Sequence, residues 1–250
     1  MAKYKQECIF GIRAVVEAIR QEKEIDKVYM LKDAGGELFR KMFALIREKD
    51  IAYQYVPADF FKSFGNKNHQ GVVAEVSPIA YADMDEILDK AEQEGRMPFI
   101  LILDRITDVR NFGAIVRTAA CAGADAVVIP NKNSAKISSD AIKTSAGALY
   151  HLPVCRIPNL RKLVRTLKFE RGISVYAASE KSDETYTQAD MNRPLAIVMG
   201  SEDKGVEESL AALCNRCIKI PQRGGVESLN VSAAAAVLMF EVVRQRDERI

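Results

Sequence analysis

Histidine is nearly missing from this 250-residue chain, which has only His69 and His151. The five cysteines, Cys8, Cys121, Cys155, Cys214 and Cys217, are odd in number and scattered, which argues against a disulfide framework. Cys214-Asn215-Arg216-Cys217 is a lone CxxC pair with no second pair to complete a tetrahedral zinc set. It reads as half-buried thiols, and no metal is expected. No apolar run approaches the roughly 20 residues of a membrane-spanning helix, and Met1 to Glu7 leads into no hydrophobic leader. The expectation is a cytoplasmic protein without a membrane partner, in which the sequon Asn230-Val231-Ser232 is idle. Two nucleotide fingerprints are also absent. No GxGxxG follows a strand-like run, and Gly200 to Gly205 is followed by Val206-Glu207 where a P-loop needs Lys and Ser or Thr. A plain NAD domain and a P-loop NTPase are both excluded.

What is present is an ordinary balance for a folded chain, 48% hydrophobic and 28% charged, enough for one small and one medium domain. The net charge of +2 divides unevenly. Residues 1–95 carry 14 Lys/Arg against 17 Asp/Glu (−3), and residues 96–250 carry 22 against 17 (+5). A nucleic-acid partner is allowed by this balance, not demanded. The sharpest basic cluster, Arg156, Arg161, Lys162, Arg165, Lys168 and Arg171, reads either as a solvated helix face or as a phosphate contact. His69 and the Lys62–Lys67 loop carry the same two readings.

Two α/β units follow from the pattern. Residues 1–76 hold helical spacings at Val15, Val16 and Ile19 and at Leu38, Met42, Leu45 and Ile46. These alternate with strand-like runs at 27–31, 51–56 and 71–76, and Pro57 opens a short helix. Residues 77–97 read as a linker and an acidic helix. Residues 98–250 carry near-continuous apolar runs at 99–103, 126–129, 173–177, 195–199 and 217–220, the composition of a parallel sheet covered on both faces. Helices are expected at about 112–122, 139–149, 159–169 and 205–213, with a last one from Val231.

Three polar loops each follow an apolar run directly, where an α/β sheet places its ligands. The first, from Asp104, leads through Asn111, a good N-cap residue, to Arg117 about two turns inside a helix kept thin by Gly113, Ala114, Ala119 and Ala120. The second is Gly200-Ser201-Glu202-Asp203-Lys204-Gly205. The third runs from Ile220-Pro221 through Gly224-Gly225-Val226-Glu227 to Ser228-Leu229-Asn230-Val231-Ser232 and becomes the helix of Ala233–Ala236 without a spacer.

Together the three loops resemble the SpoU class of SPOUT RNA methyltransferases, in order and spacing, over nearly the whole chain. Asp203 departs from the family pattern, which more often has Gly there. The resemblance implies S-adenosyl-L-methionine as cofactor and methyl transfer to a ribose 2′-hydroxyl. The substrate it favours is a guanosine in 23S rRNA, with rRNA preferred over tRNA because of the accessory N-terminal domain. The alternatives are a tRNA 2′-O-methyltransferase of the same class and a non-catalytic RNA-binding ribosome-assembly factor. The resemblance also implies a small α/β RNA-binding domain ahead of a knotted (trefoil) parallel-sheet domain, and a homodimer that completes the site across its interface. Connection rules alone argue against knots. Carried over by residue, Arg117 would bind the substrate phosphate and stabilise the developing alkoxide, with Asn111 and Asn230 orienting it and the ribose. Glu202 and Ser228 would hold the loops, while the backbone at Gly200, Ile220 and Leu229 would hold the adenosine.

Overall fold

The structure, a computed structural model, describes residues 7–225 and 228–247, so Val226 and Glu227 of the third loop lie outside the described residues. The chain divides into two units, the first running through Ala80 and including Lys136–Ser139, the second comprising the rest.

The smaller unit contains β1 (Cys8–Phe10), α1 (Ile12–Arg20), β2 (Ile25–Leu31), α2 (Glu37–Glu48), β3 (Tyr53–Val56), α3 (Ala58–Lys62) and β4 (Val72–Val76). Its sheet order is β1-β4-β2-β3, with β3 parallel to β2 and the other pairings antiparallel. Val15, Val16 and Ile19 of α1 and Phe39, Met42 and Ile46 of α2 form one core with Val28, Met30 and Val72. Phe61 of α3 packs with Val56 and Val73 in a second cluster. Pro57 is the N-cap of α3, one position outside the helix. The candidate RNA contacts in this unit are largely engaged locally. The His69 ring stacks on Phe61 at 4.5 Å and its Nδ1 accepts from Gly71 N–H, while Lys67 lies over the Phe10 ring and Lys62 pairs with Asp59. Glu75, 1% exposed, accepts from Lys136 Nζ at 2.6 Å and Tyr29 Oη at 3.2 Å, so its buried charge is compensated.

The larger unit contains α4 (Met84–Gln93), β5 (Phe99–Leu103), α5 (Val109–Cys121), β6 (Ala126–Pro130), α6 (Ser139–Thr144), β7 (Val154–Ile157), α7 (Leu160–Phe169), β8 (Ser174–Ala178), β9 (Leu195–Met199), α8 (Glu208–Ala211), β10 (Arg216–Ile218) and α9 (Val231–Asp247). All six strands are parallel, in the order β10-β8-β9-β5-β6-β7. The central strands β5 (FILIL) and β9 (LAIVM) are buried at every position, so both sheet faces are covered. One face packs Met84 and Leu88 of α4, Leu163 and Leu167 of α7 and Leu210 of α8 on Ile100, Ile102, Ala196 and Val198. Helices α5 and α9 pack on each other.

Several boundaries differ from the sequence expectation. β7 went unpredicted because it is a four-residue edge strand interrupted by Arg156. The helix expected over 139–149 stops at Thr144, where Ala146 and Gly147 take positive φ, and resumes as a 3-10 turn at Ala148–Tyr150. Half of the basic cluster is spent on packing, while Arg161, Lys162 and Arg165 are exposed on α7. Arg171 bridges Asp85 and Asp89 of α4 at 2.6 Å each, Arg156 lies over the Tyr81 ring, and Lys168 donates to the Leu213 carbonyl.

Burial pushes the Cys155 and Cys214 thiols up to about 12, so both are protonated and inert near neutrality. Alkylation of the native protein at pH 8 is expected to spare both and to reach them after denaturation, as read by peptide mass mapping. Rapid native labelling of Cys214 would restore a reactive CxxC pair.

Candidate active site at the strand ends

Asp104, the first residue beyond β5, is 4% exposed and would be costly to bury alone. Its carboxylate accepts the Glu207 N–H at 2.8 Å and is gripped by Arg105, whose guanidinium also reaches the Gly205 carbonyl at 3.2 Å. The end of β5 thereby fixes the loop that leaves β9. Within that loop Ser201 and Gly205 exchange both backbone hydrogen bonds. A Cβ on Gly200 would fall 1.9 Å from the Gly205 carbonyl carbon and 2.0 Å from Val206 N, so only glycine permits this turn.

The N-cap of α5 is Asp108, not Asn111. The Asp108 carboxylate accepts the N–H groups of Arg110 and Asn111 at 2.8 Å each. This frees the Asn111 side chain, which donates to Glu202 Oε1 at 3.0 Å. Asn230 Nδ2 donates to the same Glu202 oxygen at 2.7 Å and to Asn111 Oδ1 at 3.0 Å. The Asn230 carbonyl oxygen in turn accepts from Ser232 N–H at 2.9 Å and Ser232 Oγ at 2.5 Å, which orients its amide at the start of α9. Residues 111, 202 and 230, far apart in sequence, form one hydrogen-bonded cluster. Gly113 lets α5 approach α6, since a Cβ there would meet Thr144 Cβ at 2.7 Å.

Beside this cluster is a cavity of about 320 Å³ beyond the carboxyl ends of β8, β9 and β10. Gly200, Glu202, Ile220, Ser228 and Leu229 all line it. Met199, Ile218, Val231 and Leu238 form its apolar part, while Glu180, Lys181, Asp203 and Lys204 stand among its polar residues. Ligands bind at this place in open parallel sheets.

Arg117 is not brought to the cavity. It is exposed and makes no hydrogen bond or ion pair with a described residue. Six residues at about 100° each leave it about 120° around the α5 axis from Asn111, so Asn111 and Asn230 hold Glu202 rather than Arg117 within one chain. Sequence reasoning missed Asp104 and Arg105, although a carboxylate at the end of an unbroken apolar strand was the available signal.

Residues 98–240, which contain all three loops, match the SpoU rRNA Methylase family. The chain belongs to this family. Residues 8–82 match the domain described as RNA 2′-O ribose methyltransferase substrate binding. YacO of Bacillus subtilis (strain 168), assigned by its name to the TrmH family of tRNA/rRNA methyltransferases, is 37% identical over 239 residues, 96% of each chain. Among solved structures, the SpoU methyltransferase AviRb of Streptomyces viridochromogenes in complex with AdoMet superposes with a TM-score of 0.61 at 23% identity, covering 97% of this chain and 91% of its own. The A. aeolicus TrmH/SpoU tRNA modifying enzyme superposes with a TM-score of 0.57 at 25% identity, covering 65% of this chain and 86% of its own. The fold is that of SpoU SPOUT methyltransferases.

Two substitutions test how this SpoU-family site is built. Gly200→Ala is expected to cost about 2 kcal/mol or more, because backbone must move to admit the methyl group. Asp104→Ala leaves the Glu207 N–H without its acceptor and Arg105 without its carboxylate and is expected to cost about 2–3 kcal/mol. Chemical denaturation measures both, and wild-type midpoints would show that the loop after β9 is held by other contacts.

Proposed function

We propose that the protein is an S-adenosylmethionine-dependent methyltransferase acting on a ribose 2′-hydroxyl of RNA, with a guanosine of 23S rRNA favoured over tRNA. The observation that carries this reading is the Asn111–Glu202–Asn230 cluster beside a strand-end cavity that Glu202 lines. The residues present fit the cofactor. Apolar side chains of Met199, Ile218, Val231 and Leu238 suit an adenine ring, and the backbone at Gly200, Ile220 and Leu229 offers polar groups without bulk. Both carboxylates and lysines are available for a ligand carrying charges of both signs. When bound, this cofactor supplies a methyl group on a sulfonium centre.

The chain's own residues position the acceptor and manage its proton. Arg117 stays protonated, since a guanidinium does not act as a base in proteins. It binds a substrate phosphate and stabilises the alkoxide as the 2′-hydroxyl proton passes to that phosphate. Glu202, held by two amides, keeps the loop after β9 in place, and Ser228 lines the donor side. Because Arg117 points away from its own chain's cluster, it serves the cavity of a second copy. Phe240, 49% exposed on α9, supports an apolar contact between copies along the α5–α9 face.

The accessory unit supports rRNA as the substrate class. The tRNA modifying enzyme of A. aeolicus leaves about a third of this chain unmatched. Mapping ribose methylation in rRNA and tRNA from a deletion strain tests the substrate directly.

Purified protein is expected to transfer label from S-adenosylmethionine to total RNA. Failure to transfer any label, with the donor bound, would favour a non-catalytic RNA-binding factor. Arg117→Ala is expected to abolish transfer while calorimetry still detects donor binding, and Glu202→Ala to weaken donor binding. Co-refolding the two variants should give more activity than the sum of the two alone, because mixed dimers contain one intact site. No such gain would place Arg117 in its own chain's reaction.

A further inference from the structure

The smaller unit ends its sheet on β3, and this edge strand displays aromatic side chains that the core does not need. Tyr53 and Tyr55 are 37% and 45% exposed and, two residues apart, share one face. Their rings are 6.0 Å apart at 81° to each other. Phe43 of α2 supports both from beneath, 5.1 Å from Tyr53 and 6.4 Å from Tyr55, and Phe39 lies parallel to Phe43 at 6.5 Å. Arg40 and Arg47 flank Phe43 at i−3 and i+4, on the same helix stripe. Both are exposed, and neither pairs with a carboxylate among the described residues, whereas Lys41 on the same helix is paired with Glu37.

Two exposed rings with a half-buried aromatic support and a free guanidinium on each side make a stacking platform. Every base has a π face, and arginine supplies both phosphate contact and cation–π attraction. The phenol rings are stiff, so little side-chain freedom is lost when a base docks. We propose that Tyr53 and Tyr55, with Arg40 and Arg47, form a docking surface for an unpaired segment of the substrate RNA, each tyrosine stacking a base. A duplex hides its base faces and would not use these rings. The proposal rests on the chain's acting on RNA. It adds a recognition surface in the unit that does not hold the donor cavity.

The absence of tryptophan makes the test direct, because intrinsic fluorescence then comes from the eight tyrosines. The full-length protein is titrated with a 12-nucleotide single-stranded RNA and with a duplex of the same sequence, following tyrosine quenching and filter binding at several salt concentrations. Wild type should bind the single strand with quenching and bind the duplex more weakly. Tyr53→Ala and Tyr55→Ala should each weaken single-strand binding roughly tenfold. Tyr53→Phe and Tyr55→Phe should retain it, and all four should bind the donor as wild type does. The Phe variants keep the supporting ring contacts, so the comparison survives if an Ala variant fails to fold. Arg40→Ala with Arg47→Ala should reduce the slope of log affinity against log salt by roughly 1.4.

Wild-type single-strand affinity in folded Ala variants overturns the proposal, as does equal loss of single-strand and duplex binding. If the Ala substitutions leave RNA binding intact but abolish self-association of the protein, the edge is a protein-pairing surface and the proposal fails. Methyl transfer by wild type, measured in parallel, separates the two readings. Transfer with unaffected tyrosine variants sinks the docking surface alone, whereas no transfer to any RNA sinks the enzymatic reading while single-strand binding is still read independently.

Discussion

The site depends on one buried carboxylate. Asp104 closes β5 and holds the Glu207 N–H, so the loop after β9 cannot leave the end of its neighbouring strand. That contact exists only because β9 is inserted between β5 and β8, which makes the exits of β5 and β9 adjacent although the paired Leu103 and Met199 are 96 positions apart in sequence. With the loop fixed at both ends, Gly200 accepts a turn that no side chain could occupy. Glu202 is then presented at a constant position for Asn111 and Asn230 to grip.

The cluster around Glu202 shows how a polar site is stabilised without deep burial. An exposed carboxylate would gain little from a distant cation, since water screens the attraction. Two short amide hydrogen bonds give direction that a screened charge cannot. Each amide is itself constrained: Asn111 by a helix start that Asp108 caps, Asn230 by Ser232. The result is preorganisation, in which the geometry costs nothing further when a ligand arrives.

Much of the larger unit was legible in the sequence because its strands are buried on both faces and read as unbroken apolar runs. β5 and β9 carry the bounds expected for them, whereas β7, half-buried at an edge and carrying Arg156, had no such signature. The three loops were legible through residue type and order, and seven of the eight expected site residues lie at the cavity or in the hydrogen-bonded cluster beside it. The role of Asn111 was misread as a cap, because Asp108 three residues earlier does that work and local preference alone cannot say which polar residue faces the helix end. Asp104 and Arg105 escaped notice for a different reason. Their partners lie about a hundred residues away, and only the strand order brings them together.

Arg117 shows where sequence spacing and single-chain geometry part. A motif that places an asparagine and an arginine six residues apart on a helix does not aim both at one point, because the helix leaves them about 120° apart around its axis. Either the arginine is incidental or a second body receives it. The helix it occupies packs on α9, whose Phe240 is half-exposed where a monomer would gain by burying it, and neither feature helps the isolated chain. A guanidinium without a partner among the described residues and a half-exposed aromatic ring, on the same pair of helices, would both be accounted for by the isologous contact proposed between copies. On that account the cavity and the arginine belong to the same reaction but to different chains, and the spacing that looks wrong within one subunit is what a shared site requires.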